Sequence, residues 1–531
     1  MASKKKLLQA AAGSAGGAGL DVDEVFSTFV YRGTSSSQAI NNGLDLSNEG
    51  GLVWIKNRSD TGSHHMLYDT AKPLVGGKIA RMRSSTSGTS DSGNNELSSF
   101  NSNGFTMGGS YNTNDTSYGY ASWSFRKAPK FFDLVYYTGN SGSDRAISHS
   151  LGSVPGMIIV KRTNASEDWA VWHREVHANS TTVLYLNQTG GPVVSNSIFG
   201  SNPTSTDFYV GNHPASNNEN DTYVAYIFAH NNGDGDFGPD GDADIIKCGS
   251  YSGNGNSDGP TVNLGFEPQW LLIKGGVNDN WFIADSMRGI NAGSTADPHL
   301  LANTSDPETI ENRLEINPTG FKLTQNHGDT NGAGDTHIYM AIRRGSLNIP
   351  ENATNVFGLD TDTTGGSTQE NFKPHLCDMA WFAKRGGHGR NIQVADRVRG
   401  FQNTDVNSDD SYTSPTVLTN ANDSEFTSGN SIHQTIKQNA PQSVVRGVSS
   451  GSNFCLWSFK RAPSYFDIVA YDGTSSAQNI THNLGVKPEM MWIKSRSNAN
   501  SWIVYHKQQG ATKRAFLHSN QAFDTAGTGI F

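Results

Sequence analysis

One phrase recurs five times in this chain and divides it more firmly than any other property: a glycine- and proline-marked turn, then a short apolar run ending in lysine. The fullest copy is His482-Asn483-Leu484-Gly485-Val486-Lys487-Pro488-Glu489-Met490-Met491-Trp492-Ile493-Lys494. Leu484-Gly485 and Pro488 punctuate a reversal, and Met490 to Ile493 reads as a strand that crosses a core before its lysine emerges into water. Leu151-Gly152-Ser153-Val154-Pro155 leads in the same way to Lys161, and Leu264-Gly265-Phe266-Glu267-Pro268 to Lys274. Looser copies end at Lys56 and Lys384. A spacing of about 110 residues between these anchor lysines marks a string of repeated units.

The 531 residues exceed what one core organises, so several domains are expected, and the repeat counts them. Charged residues make up 17%, glycine is frequent, and Asn, Ser and Thr crowd the stretches between apolar runs, which suits short strands joined by many turns. A net charge of −9 with no basic block beyond Lys4-Lys5-Lys6 argues against nucleic acid and against an acidic membrane surface as partners. No run of about 20 apolar residues predicts membrane insertion, and Leu7-Leu8 before Gly13-Ser14 is too little for the apolar region of a signal peptide. Cys248, Cys377 and Cys455 lack disulfide or zinc spacing and read as buried thiols in strands.

Taken in order, residues 1–24 form an arm outside the repeat, and repeats follow at 25–130, 131–244, 245–348, 349–463 and 464–531. The closing stretch of the first, Tyr120-Ala121-Ser122-Trp123-Ser124-Phe125-Arg126, alternates as a strand with one buried face. Repeat 5 opens with Tyr465-Phe466-Asp467-Ile468-Val469-Ala470-Tyr471 but reaches Phe531 without a closing strand. Such a repeat leaves an open edge, so a further C-terminal portion is expected in the natural protein. Short linkers such as Lys127-Ala128-Pro129 fix the angle between neighbours, and the aromatic pair Phe131-Phe132 is expected at an interface. The fold class is therefore all-β: tandem antiparallel β-sandwiches, jelly-roll or lectin-like, in an elongated array behind a short arm.

The search for chemistry yields little. His173-Arg174-Glu175-Val176-His177 has the wrong spacing for a zinc protease, and two strand residues four apart lie about 13 Å from each other. No nucleophile elbow or phosphate loop is present, so no enzymatic activity is expected. The metal candidate is the run between repeats 2 and 3, where Asp234, Asp236, Asp240, Asp242 and Asp244 alternate with glycine. Such oxygen ligands on a turning loop suit calcium, against the plainer reading of a solvated acidic linker with no cofactor. An Asp and an Arg three residues apart, as in Asp396-Arg397-Val398-Arg399, are expected to pair across a turn. Tyr111, Tyr118, Trp169 and Trp172 are candidates for stacking on sugars.

The stretches LLQAAAGSAGGAGLDVDEVFSTF from Leu7, GLVWIKNR from Gly51, SFNSNGFTMG from Ser99, YASWSFRKAPKFFD from Tyr120 and LGSVPGMIIVKR from Leu151 resemble virion structural proteins of marine tailed bacteriophages. The resemblance spans essentially the whole chain. It implies a virion component made in the host cytoplasm, of tail-fibre or minor structural type, and supplies no catalytic residues. On this reading the arm docks on tail or capsid proteins through Leu7, Leu8, Val22, Val25 and Phe26, while distal repeats meet a host-surface glycan or protein. A homo-oligomer is expected, a trimer being common among such fibres. The alternatives are a decorating protein of capsid or tail without a receptor role and, behind it, a carbohydrate-active enzyme with binding modules.

Overall fold

The computed structural model describes residues 19–525 apart from 95, 177–181, 196, 277, 294–296, 361–369, 372–376, 386–391, 401–416, 420, 422, 424–434, 438–443 and 447–452. The fold is nearly all β, with helices of only three or four residues among the described residues. Two compact bodies divide the chain: a first module of Met1–Met287 with Ser294–Asn348, and a second of Arg288–Gly293 with Ile349–Phe531. The first holds repeats 1 to 3 and the second repeats 4 and 5.

Repeats 1 to 4 share one sheet plan. Four strands recur in each: opening (Phe26–Arg32, Phe132–Thr138, Ile246–Ser252, Phe357–Asp360), anchor (Gly51–Asn57, Pro155–Arg162, Pro268–Lys274, Met379–Arg385), partner (Met66–Asp69, Ala170–His173, Trp281–Asp285, Gln393–Asp396) and closing (Gly119–Arg126, Thr222–Ala229, Thr336–Arg343, Asn453–Phe459). The closing strand always lies between the opening and anchor strands, and the partner strand flanks the anchor on its other side. The last strand of each repeat thus completes a sheet whose other members come earlier. A smaller sheet of two or three strands accompanies each of these larger ones. In repeat 1 the core between the two sheets joins Phe29, Tyr31, Val53, Ile55, Met66 and Tyr68 to Ile40, Leu97, Phe105 and Met107.

The recurring phrase has a local explanation. Gly152, Gly265 and Gly485 take φ of +68°, +78° and +66°, a left-handed turn that a side chain disfavours. Pro155 and Pro268 then open their anchor strands at a bulge, where a missing N–H costs the ladder nothing. In repeats 1 to 3 the anchor strands are buried along both faces, which is why they read as unbroken apolar runs.

That second buried face corrects two expectations. The closing strand of repeat 1 is covered on both sides, with Ser122 and Ser124 as inaccessible as Trp123 and Phe125. Lys56, Lys161 and Lys274, expected in water, are 0–1% exposed. Neighbouring repeats supply the cover. Within the first module repeat 3 touches repeat 1, so these three sandwiches do not follow one another as beads in a line.

Tyr31, Tyr137 and Tyr251 donate their hydroxyls to the carbonyls of Thr113, Ser216 and Thr330, each one residue before a buried asparagine. Those asparagines, Asn114, Asn217 and Asn331, stand five residues ahead of their closing strands. Asn114 accepts from the Thr34 N–H and donates to the carbonyls of Ser36 and Gly108. Asn217 and Asn331 repeat the arrangement with Asn140 and Gly142, and with Asn254 and Asn256. A glycine follows each tyrosine by two residues because a Cβ at Gly33, Gly139 or Gly253 would meet a carbonyl oxygen at 2.0, 2.0 or 2.2 Å.

Candidate functional site

The conspicuous side-chain chemistry of the first module lies in the seams between its repeats, and it runs in one rotational sense. The Tyr226 hydroxyl of repeat 2 donates to Asp69 Oδ2 of repeat 1 over 2.7 Å, and the Trp123 indole of repeat 1 donates to Asp285 Oδ2 of repeat 3 over 2.9 Å. Between repeats 2 and 3, His173 Nε2 lies 3.2 Å from the Tyr339 carbonyl. His173 Nδ1 accepts the Glu175 N–H, so the proton sits on Nε2 and that nitrogen donates. Each pair joins a closing strand to the end of the partner strand in another repeat, as 2 to 1, 3 to 2 and 1 to 3. The cycle is closed.

The anchor lysines trace the same circuit. Lys161 reaches the Ser87 carbonyl of repeat 1, Lys274 the Thr189 carbonyl of repeat 2, and Lys56 the Ser305 carbonyl of repeat 3, at 3.3, 3.1 and 3.5 Å. Trp169 and Trp281 donate to the carbonyls of Arg83 and Tyr185 in the preceding repeat. The Arg58 guanidinium grips Glu308 at 3.0 and 2.5 Å, a forked ion pair with both side chains about 95% covered. All three repeats contribute to one aromatic cluster: the Phe125 ring lies 5.5 Å from Phe228 and 5.8 Å from Trp270. Phe131 and Phe132 also pack on Phe125, as expected of an interfacial pair.

Burial holds the three lysines down to about 8, against an ordinary 10.5, although nearby carboxylates oppose the change. The folded form therefore disfavours their charge. Between about pH 8 and 10 the unfolded chain binds protons that the folded chain does not, so stability rises with pH through that window. Tyr31, Tyr137 and Tyr251 are pushed well above 10 by burial and reverse the trend beyond it. The melting transition of the first module is expected to move upward from pH 8 to about pH 9.5, read by calorimetry on the full chain. A fall across that interval would contradict the burial of these lysines.

A family model described as a domain of unknown function, DUF7483, matches residues 21–344 and 354–530. The chain belongs to this family. No curated protein and no solved structure matches it. The break in the DUF7483 match falls where the chain passes from the first module to the second.

In this DUF7483 chain the five aspartates of the calcium candidate do not converge. Asp244 accepts the N–H groups of Gly233 and Gly235, Asp234 accepts the N–H of Asn232, and Asp236 pairs with Lys130 at 3.0 Å. Asp240 and Asp242 are exposed. Among the described residues no group of three or more His, Cys, Asp or Glu side chains could hold a metal ion. The loop instead carries buried Phe237 against Phe131, and the Gly238 N–H donates to the Leu20 carbonyl.

That last bond belongs to a clasp at the base of the arm. Asp21 accepts the N–H groups of Leu347 and Asn348 at 3.0 and 2.9 Å and the Ser346 hydroxyl, tying residue 21 to the exit of repeat 3. Val22, Val25 and Phe26, read from the sequence as docking residues, are 0–1% exposed inside the first module. Their apolar surface serves the module's own core. Leu7 and Leu8 lie outside the described residues. Of the aromatic candidates, Trp169 and Trp172 are buried, whereas Tyr111 is exposed and meets Tyr118 edge to face at 5.7 Å with hydroxyls 3.1 Å apart. The expected corner pair is present in repeat 4, where Arg399 Nε donates to Asp396 over 2.5 Å.

Proposed function

We propose that this chain is a structural protein of a tailed-bacteriophage virion, a tail-fibre or adhesin-like appendage anchored by its N-terminal arm. The interlocking of repeats 1 to 3 carries the reading. Buried aromatic, lysine and carboxylate contacts close the circuit from repeat 1 to 3 and hold loops such as the one bearing Tyr111 on a rigid frame. A particle component that bears load and presents surface loops needs that rigidity. The sequence resemblance to marine phage virion proteins points the same way.

The structure changes which residues test the anchor. Residues 20–26 are built into the first module, so a deletion through residue 24 would damage the fold as well as the arm. Removing residues 2–18 is expected to leave the melting behaviour unchanged and to abolish incorporation into particles. Normal incorporation of that variant, scored by quantifying the protein in purified virions, would overturn the docking role. Binding of the second module to host cells separates the appendage from a decorating protein without a receptor role.

A further inference from the structure

We infer that a cleft on repeat 2 is a binding site for a sugar acid, a monosaccharide unit that carries both a carboxylate and hydroxyl groups. The cleft opens where three segments meet: the turn Gly152-Ser153-Val154 ahead of the anchor strand, Arg174 just past the partner strand, and His230 to Asp234 beyond the closing strand. Its volume is about 470 Å³, within the range of small-ligand sites. An adjoining hollow of about 250 Å³ shares Val154 and Arg174 with it and is walled by Pro155, Trp172 and Pro203.

Repeats 1 and 3 close the corresponding turn with an ion pair. In repeat 3 the residues matching Ser153 and Val154 are Phe266, which is buried, and Glu267, which pairs with Arg344 at 3.6 Å. Arg344 occupies the position of His230, since Ile342 faces Trp270 in repeat 3 as Phe228 faces Met157 in repeat 2. In repeat 1 Glu49 lies three residues before Leu52, as Val154 does before Met157, and pairs with Arg126 at 3.1 Å. Repeat 2 puts valine in place of the glutamate and histidine in place of the repeat 3 arginine, and both line the cleft.

The groups that border this space are mostly donors. Ser153 is 8% exposed, and its buried hydroxyl has no hydrogen-bond partner among the described residues, a cost that a ligand oxygen would remove. His230 Nδ1 accepts the Cys248 N–H over 3.2 Å, and burial holds the ring down to about 4, so near neutrality its proton sits on Nε2. Arg174 lines both hollows, its Nε 3.3 Å from Glu175, and carries a guanidinium fork suited to a carboxylate. Lys130 is fixed at the rim by the Asp234 carbonyl and the Asp236 carboxylate, at 2.7 and 3.0 Å. Two carboxylates choose among anions. Asp234 and Glu175 border the hollows, where they repel a compact dianion such as sulfate but accept from hydroxyl groups. A sugar acid satisfies both sets, with its carboxylate toward Arg174, Ser153 and His230, its hydroxyls toward Asn232 and Asp234, and an apolar face on Val154. The inference needs this cleft alone and holds whether or not the arm docks on particles.

The test is ligand-observed NMR on the full chain with glucuronate and N-acetylneuraminate, and with acetate, sulfate and glucose as controls. Saturable binding of at least one sugar acid is expected, and weaker binding of every control. Arg174→Gln is expected to weaken sugar-acid binding at least about tenfold, the loss of a charge-assisted bond. Ser153→Ala is expected to weaken it about tenfold while the melting temperature stays level or rises, because the fold loses no hydrogen bond with that hydroxyl. Absence of saturable binding by both sugar acids would overturn the inference, as would undiminished binding by the two variants. Sulfate or acetate bound as tightly as the sugar acids would make the cleft an adventitious anion site and overturn the assignment of a sugar.

Discussion

Replacing Phe125 with alanine is expected to destabilise repeats 1, 2 and 3 together, by about 3–5 kcal/mol, the range for emptying a fully buried aromatic site. The Phe125 ring is inaccessible and lies between 5.0 and 6.4 Å from Phe26, Phe131, Phe132, Phe228 and Trp270. Those rings come from the opening strand of repeat 1, the start of repeat 2 and its closing strand, and the anchor strand of repeat 3. A cavity at this position cannot close by movement of one sandwich, because its walls belong to three. Hydrogen exchange is the direct measurement. Amides of Pro155–Arg162 and Pro268–Lys274 are expected to lose protection in step with those of Gly51–Asn57. Loss confined to Gly51–Asn57 would mean that the sandwiches fold as independent beads and that the closed circuit carries little energy.

What the sequence made legible follows from distance along the chain. The anchor and closing strands and their spacing in repeats 1 to 4 are local patterns, and the structure places each where the pattern does. The seams are not local. Tyr226 meets Asp69 across 157 residues and Arg58 meets Glu308 across 250, so no window of sequence holds both partners. The anchor lysines were misplaced for the same reason, since lysine after an apolar run looks solvated until another repeat supplies its carbonyl acceptor.

The arm shows a related error. Val22, Val25 and Phe26 straddle the boundary between the arm and the first opening strand, where a short apolar run looks available for docking. Phe26 packs against the rings of Phe125, Phe131 and Trp270, and Asp21, next to Val22, is held by the amides of Leu347 and Asn348 at the far end of repeat 3, contacts that no local window of sequence shows. One further signal is readable in the sequence: Asn114, Asn217 and Asn331 stand at the same offset before their closing strands. A polar residue recurring at fixed phase in a repeat has a fixed bonding job, and here it pins a turn to the opening loop. The acidic run between repeats is legible as a tight loop; Asp234 and Asp244 cap its own amides and Asp236 pairs with Lys130.

Asp69→Ala is the second large effect, with an expected cost of about 3–5 kcal/mol, because it strips the partner from a buried ammonium. The Asp69 carboxylate accepts from the N–H groups of Ala71 and Lys72 at 3.1 and 2.9 Å, from the Tyr226 hydroxyl and from the Lys72 ammonium. Both side chains of the ion pair are 0–1% exposed. Burial already lowers the Lys72 pKa against the attraction of Asp69, and without the carboxylate it falls further. The sign of the pH effect follows. A lysine depressed in the fold takes up a proton on unfolding, so the deficit of Asp69→Ala relative to the parent is expected to shrink as pH rises from 6 toward 9. Asp69→Asn keeps an acceptor for Tyr226 but not the charge and is expected to fall between the two. Adding Lys72→Met to Asp69→Ala removes the orphaned charge and is expected to recover most of the loss, since an apolar replacement of a buried ion pair is often neutral. Denaturant midpoints of the four proteins decide the matter: a double variant as weak as Asp69→Ala would assign the cost to the lost Tyr226 bond across the seam, and the ion pair would then be incidental to holding repeats 1 and 2 together.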